Sequence, residues 1–112
     1  MRVLLDHCVA RRLRRLFVGH EVRTAFEQGW STLSNGILLA RASEAFDVFV
    51  TVDQNVQYQQ NLKALPLPVI MLMVPNNRFE SLAPLAPAIL EVLSRPLPRE
   101  VVRVGPPPAK AS

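Results

Sequence analysis

Val48-Phe49-Val50-Thr51-Val52, closed by Asp53, is the stretch on which the fold turns. It is almost continuously β-branched or aromatic, the pattern of a strand buried on both faces. Such strands belong to parallel sheets covered by helices. Upstream, Ser34 is placed to cap a helix with Ile37, Leu38, Ala42, Ala45 and Phe46 on one side. Before it, His20 to Ala25 reads as a short strand that Gly29-Trp30-Ser31 interrupts. At the start, Val3-Leu4-Leu5 makes a strand ending at Asp6. A helical pattern follows with Val9, Leu13, Leu16 and Phe17 inward and Arg11, Arg12, Arg14 and Arg15 outward, ended by Gly19.

Downstream, the amide-rich residues 54 to 63 predict a short helix. Pro66 and Pro68 open a second apolar strand, Val69 to Val74, which Pro75-Asn76-Asn77 closes. From Glu80, the positions Leu82, Leu85, Ile89, Val92 and Leu93 predict an amphipathic helix. Pro84 and Pro87 must then stand in or near its first turn, because proline breaks a helix interior. Val101 to Val104 gives a last strand, and residues 105–112 read as a Pro-rich tail. Alternating strands and helices predict one α/β domain over residues 1–104. Its sheet is expected to be mostly parallel, with about four or five strands and helices on both faces.

Bulk properties agree. A chain of 112 residues supports one core, and 49% apolar with 20% charged residues is ordinary globular composition. No apolar run approaches the roughly 20 residues of a membrane span. The Met1-Arg2 start runs straight into a strand rather than a signal peptide, so a cytoplasmic protein is expected. The lone Cys8 excludes an internal disulfide and a cysteine zinc cluster, and reads most simply as a small buried residue. A net charge of +4, with four arginines in one short segment, suits an acidic partner such as RNA, DNA or an acidic protein.

Ligands of open parallel sheets bind outside the carboxyl ends of the strands, where Asp6 and Asp53 both stand. Paired carboxylates with no cysteine or histidine cluster favour Mg²⁺ or Mn²⁺, cations suited to phosphodiester hydrolysis. The plainer reading of each aspartate is a helix N-cap. His7 reads as a bystander rather than an acid or base. Trp30 reads equally as a base-stacking surface and as a core anchor.

Val3-Leu4-Leu5-Asp6, Gly19-His20-Glu21-Val22, Leu33-Ser34-Asn35-Gly36-Ile37-Leu38 with Ala42, and Val50-Thr51-Val52-Asp53 succeed one another over about residues 1 to 75. In that order they resemble a bacterial PIN-like family of uncharacterised, toxin-like proteins related to the VapC ribonucleases. The resemblance implies a three-layer metal-dependent ribonuclease fold with Asp6 and Asp53 as catalytic and metal-binding acids. Asn35 falls where the family commonly has another acid, and would ligate through a neutral carbonyl oxygen. Asn55 likewise replaces a further acid. Glu21 and Glu44 stand too far from this end to substitute. In this frame Arg12 would steady the scissile phosphate, while Arg11, Arg14 and Arg15 attract the RNA backbone.

The implied function is a Mg²⁺- or Mn²⁺-dependent endoribonuclease, the toxin of a toxin–antitoxin pair, with RNA and a cognate antitoxin as partners. A homodimer is compatible with the apolar strands. The alternative is a catalytically degenerate PIN-like binding module with an RNA or protein partner, suggested by Asn35 and Asn55. A phosphoacceptor receiver domain also places acids after its first and third strands. It needs a hydroxyl residue after the fourth and a lysine after the fifth, where this chain has Val74-Pro75 and Val104-Gly105.

Overall fold

The computed structural model describes residues 1–52, 65–74 and 78–105, with the side chain of Asn35 outside that set. Five strands, β1 (Arg2–Leu5), β2 (Glu21–Thr24), β3 (Val48–Thr51), β4 (Val69–Leu72) and β5 (Val101–Val104), form one sheet in the order β2-β1-β3-β4-β5. Every pairing is parallel. The α/β expectation holds, with "mostly parallel" sharpened to wholly parallel among the described strands, an arrangement consistent with a three-layer PIN-like fold. No described helix is long and apolar enough to cross a membrane.

Side-chain alternation divides the core in two. Val3, Leu5, Val48, Val50, Ile70 and Leu72 face one side of the sheet, and Leu4, Phe49, Val69 and Met71 face the other. Both β3 and β4 are buried along their whole length, as their uninterrupted apolar sequences require. Both central strands are therefore covered within the chain. Edge strands β2 and β5 instead carry Glu21, Arg23 and Arg103, charges of the kind that discourage edge-to-edge pairing.

The first face is covered by a 3₁₀ helix, Arg11–Leu16, and by the segment containing α2 (Phe79–Leu82) and α3 (Ala86–Leu93). Helix α1 (Asn35–Ala45) covers the second face. The arginine-rich segment winds as 3₁₀ rather than α because Ala10, Leu13 and Leu16, three residues apart, all pack on the sheet. Helix α1 is rotated from the expected face: Leu39 is buried with Leu38, Ala42 and Phe46, while Ile37 is 52% exposed and Ala45 lies in solvent. Ser34 holds the N-cap position but makes no side-chain cap bond. Past β4 the two prolines do more than start one helix. Pro84 begins a separate 3₁₀ turn, Ala83–Leu85, and Pro87 begins α3, so the expected helix is three short pieces. Leu82, Leu85, Ile89, Val92 and Leu93 are nevertheless all buried, as their spacing demands.

The β1-to-β2 and β4-to-β5 connections cross the same face but step in opposite directions along the sheet, so they have opposite hands. The β2-to-β3 connection crosses the other face in the reverse sense to β1-to-β2 and shares its hand. Of these three crossovers, β4-to-β5 thus has the hand opposite to the other two, whereas parallel connections normally share one hand. The strand order also occurs in receiver folds. Beyond β4 and β5, however, Met73-Val74 and Gly105 offer neither the hydroxyl nor the lysine of a phosphoacceptor site.

At the amino edge, Asp47 joins β1 to β3. Its Oδ2 accepts the Arg2 backbone N–H at 2.7 Å, and its Oδ1 lies 3.3 Å from the Arg2 guanidinium. The backbone bond, followed by the guanidinium, holds the Asp47 carboxyl below its ordinary value. Its contribution is therefore complete above the unfolded-state pKa, about 3.9, and is lost as pH falls through the lowered folded value. Replacing Asp47 with Ala should cost about 1 kcal/mol at pH 7, a charge-assisted bond discounted for solvent screening. Urea unfolding at a series of pH values should show the gap to wild type closing below about pH 4; a gap independent of pH would refute the assignment.

Candidate functional site

With all strands parallel, β1, β2 and β3 end on one edge. Leu5 lies level with Thr24 on β2 and with Val50 on β3. The chain leaves β1 outward to β2, then returns past β1 to β3, so β1 and β3 border a topological switch point. Asp6 sits there, its backbone N–H donating to the Val50 carbonyl at 2.9 Å.

The Asp6 residue is only 2% exposed, yet it forms part of the wall of an open cleft of about 590 Å³. Its Oδ2 accepts the Thr51 hydroxyl at 2.7 Å and the Cys8 thiol at 3.4 Å. Its Oδ1 accepts the His7 backbone N–H at 2.8 Å and lies 3.0 Å from His7 Nδ1. That last contact is an ion pair only when the ring is doubly protonated. Asp6 is not a helix cap: the 3₁₀ helix has Ala10 at its N-cap, and only the Asp6 carbonyl serves a turn, accepting the Val9 N–H. The plainer explanation of this aspartate thus fails on geometry.

Cys8 is half-buried, between Asp6 and Thr51. Burial, reinforced by the Asp6 charge, pushes its thiol up to about 11, so it is a neutral donor near pH 7 rather than a nucleophile. His7 is half-exposed against Asp6 and forms part of the cleft wall.

The four arginines separate into different roles. Arg11 lines the cleft. Arg12, the residue expected at the phosphate, is exposed and has its guanidinium 4.6 Å from the centre of the Phe79 ring. Arg14 pairs with Glu27 at 2.9 Å, and Arg15 is exposed. Trp30 stands edge-on to Phe46, ring centres 6.1 Å apart, and packs with the α1-side core, which favours its reading as an anchor. The exposed aromatic at the cleft is Phe26, which the sequence reading passed over. Its signal was present in Thr24-Ala25-Phe26-Glu27, the spacing of a capping box.

Asp53 and Asn55 lie outside the described residues, as does the predicted helix over 54–63. Asn35 opens α1, with its side chain outside the description. Among the described residues no three His, Cys, Asp or Glu side chains converge as a metal cluster. Asp6 supplies a hard oxygen donor to the cleft, and Thr51 and Cys8 orient it.

Comparison with protein-family models, with curated proteins and with solved structures found no match to this chain. Functional assignment therefore rests on the site itself.

Removing the Thr51 hydroxyl should expose how far Asp6 depends on it. Thr51→Val should lower stability by about 2 kcal/mol, the usual scale for a buried bond to a charged group. Thr51→Ser should recover most of that in urea unfolding. Equal losses in both variants would assign the effect to packing instead.

Proposed function

We propose that the cleft binds RNA and that Asp6 anchors a Mg²⁺ or Mn²⁺ ion for phosphodiester hydrolysis, as in a PIN-like endoribonuclease of toxin type. The observation that carries this reading is a nearly buried carboxylate at the switch-point edge of a parallel sheet, capping no helix, in a cleft also lined by Arg11. Burying a charge is costly unless it is well paired, and a carboxylate facing a cleft becomes useful when a cation joins it.

The donor set fits such an ion in part. Asp6 provides a hard carboxylate, and Asp53, on the residue after Val52, is the second acid of the proposal. When bound, the ion would lower the pKa of a water and stabilise charge developing on the phosphate. The chain's own contributions are distinct. Thr51 and Cys8 hold Oδ2 of Asp6, leaving its geometry fixed as substrate arrives. Arg11 attracts the phosphate backbone, and the net charge of +4 favours encounter with a polyanion. A cognate antitoxin belongs to the same proposal as the partner that would cover this edge.

One observation favours the degenerate alternative: both Asp6 oxygens already accept protein donors, so a cation must compete with them. Single-stranded RNA incubated with Mn²⁺ separates the two readings. Wild type should cleave, and Asp6→Asn and Asp53→Asn should each lose roughly 100-fold or more in rate while keeping the native circular dichroism spectrum. Equal cleavage by wild type and Asp6→Asn would defeat the mechanism. An inactive wild type that gains both Mn²⁺ affinity and cleavage through Asn35→Asp would mark the binding module.

A further inference from the structure

Phe26 leaves 68% of its surface in solvent while forming part of the cleft wall with Asp6 and Arg11. A lone exposed aromatic means little by itself. What distinguishes this one is how firmly its backbone is held.

Thr24 and Glu27 close a reciprocal capping box around Phe26. The Glu27 N–H donates to Thr24 Oγ1 at 3.1 Å, and Glu27 Oε1 accepts the Thr24 N–H at 3.0 Å. The far end of the turn closes as a Schellman motif. The Trp30 N–H reaches the Ala25 carbonyl at 2.8 Å and the Gly29 N–H reaches the Phe26 carbonyl at 3.0 Å. Gly29 takes the left-handed conformation this requires, with φ of 74°. Arg14 secures Glu27 from the neighbouring 3₁₀ helix, and the Ala25 N–H donates to the Leu5 carbonyl at 2.8 Å, one residue before Asp6. Ala25 is fully buried beneath the turn. The ring therefore projects from a turn fixed at both ends and tied directly to the strand that carries Asp6.

We propose that Phe26 is a stacking platform for an unpaired base of single-stranded RNA, whose phosphates pass Arg11 on the way to Asp6. The proposal rests on the RNA reading of the cleft and adds strand selectivity to it. An aromatic face beside a guanidinium is the pairing that sequence-tolerant single-strand binding uses, because every base has a π face and every nucleotide a phosphate. Local charge favours a polyanion over an apolar peptide: Asp6 is buried, while Arg11, Arg12 and Arg15 are exposed on the adjacent 3₁₀ helix. Bases inside a duplex are already stacked and cannot offer a face to Phe26.

The test is fluorescence anisotropy with a labelled single-stranded RNA of about twelve nucleotides and a blunt-ended two-strand duplex of the same sequence, in EDTA so that cleavage does not intervene. Phe26→Ala should weaken single-strand binding roughly tenfold, Phe26→Trp should preserve it, and duplex binding should be unchanged in both. Arg11→Ala should weaken both RNAs and reduce the salt slope by about one. No binding by wild type, an unchanged Phe26→Ala affinity, or equal losses on strand and duplex would overturn the platform. So would a wild-type dimer that Phe26→Ala dissociates with RNA affinity intact, which would make Phe26 a protein contact. The hydrolytic reading is scored separately by Asp6→Asn cleavage. Loss there with no Phe26 effect removes only the platform, and a Phe26 effect on binding by an inactive wild type removes only hydrolysis.

Discussion

The all-parallel pairing of β1, β2 and β3 is the constraint from which the rest of the site follows. Parallel neighbours force each connection to return across a sheet face, so these strands end on one edge and their following residues meet there. The interior of the sheet has no place for charge: β3 and β4 are buried along their length on both faces. Polar chemistry is confined to the two edges, and an aspartate marks each end of the β1–β3 pair. Asp47 binds the Arg2 backbone at the amino edge, half-exposed to water. Asp6 binds Thr51 at the carboxyl edge, nearly withdrawn from water. The two have the same chemistry, but the first has solvent to screen it and the second has a cleft.

The edge is built from coupled turns rather than from one long helix. The 3₁₀ helix follows Asp6 and sends Leu13 inward, while Arg14 on its outer side reaches Glu27. Glu27 in turn closes the box that holds the Phe26 turn, and that turn is bonded back to β1 at Leu5. The Thr24 N–H and Arg14 keep the Glu27 carboxyl below its ordinary value, so this link is charged at neutral pH. Arginines that look like one undifferentiated basic patch in the sequence therefore do separate work, with Arg14 serving the scaffold and Arg11 the cleft.

Much of the sheet was legible because β1, β3 and β4 are short apolar runs bounded by Asp or Pro, while the charged edge strand β2 is marked only by Val22 and Thr24 between Gly19 and Gly29. The helices were less so. The α1 segment has apolar residues over too wide an arc, Ile37-Leu38-Leu39 with Ala40, Ala42 and Ala45, for periodicity to select the inward face. Packing against Phe49 and Met71 made that choice, turning Leu39 in and Ile37 out. In the arginine segment a period of three and a period of 3.6 are hard to separate over six residues, and contact with the sheet decided for three. Asp6 was legible as a residue after a strand, but its partners were not, since Thr51 lies 45 residues away and is brought beside it only by register. Phe26 was obscured because the strand reading ran through Ala25, past the Thr24 at which the capping box begins.

Asp6 shows why a saturated carboxylate differs from an idle one. Its partners at Oδ2 are a hydroxyl and a neutral thiol, and at Oδ1 a backbone amide and an imidazole. None is a lysine or arginine that would neutralise it permanently. Hydrogen bonds from neutral groups orient a carboxylate and lower the cost of its burial, but they leave its charge to act on whatever enters the cleft. A bidentate arginine would have stabilised the charge more strongly and ended its usefulness as a ligand. Arg11 lines the same cleft without pairing with Asp6 among the described residues, and so stands as a separate charge of opposite sign. Under the proposed reading, the anion would hold a metal and the separate cation a phosphate of one complex, which a closed ion pair between them would prevent.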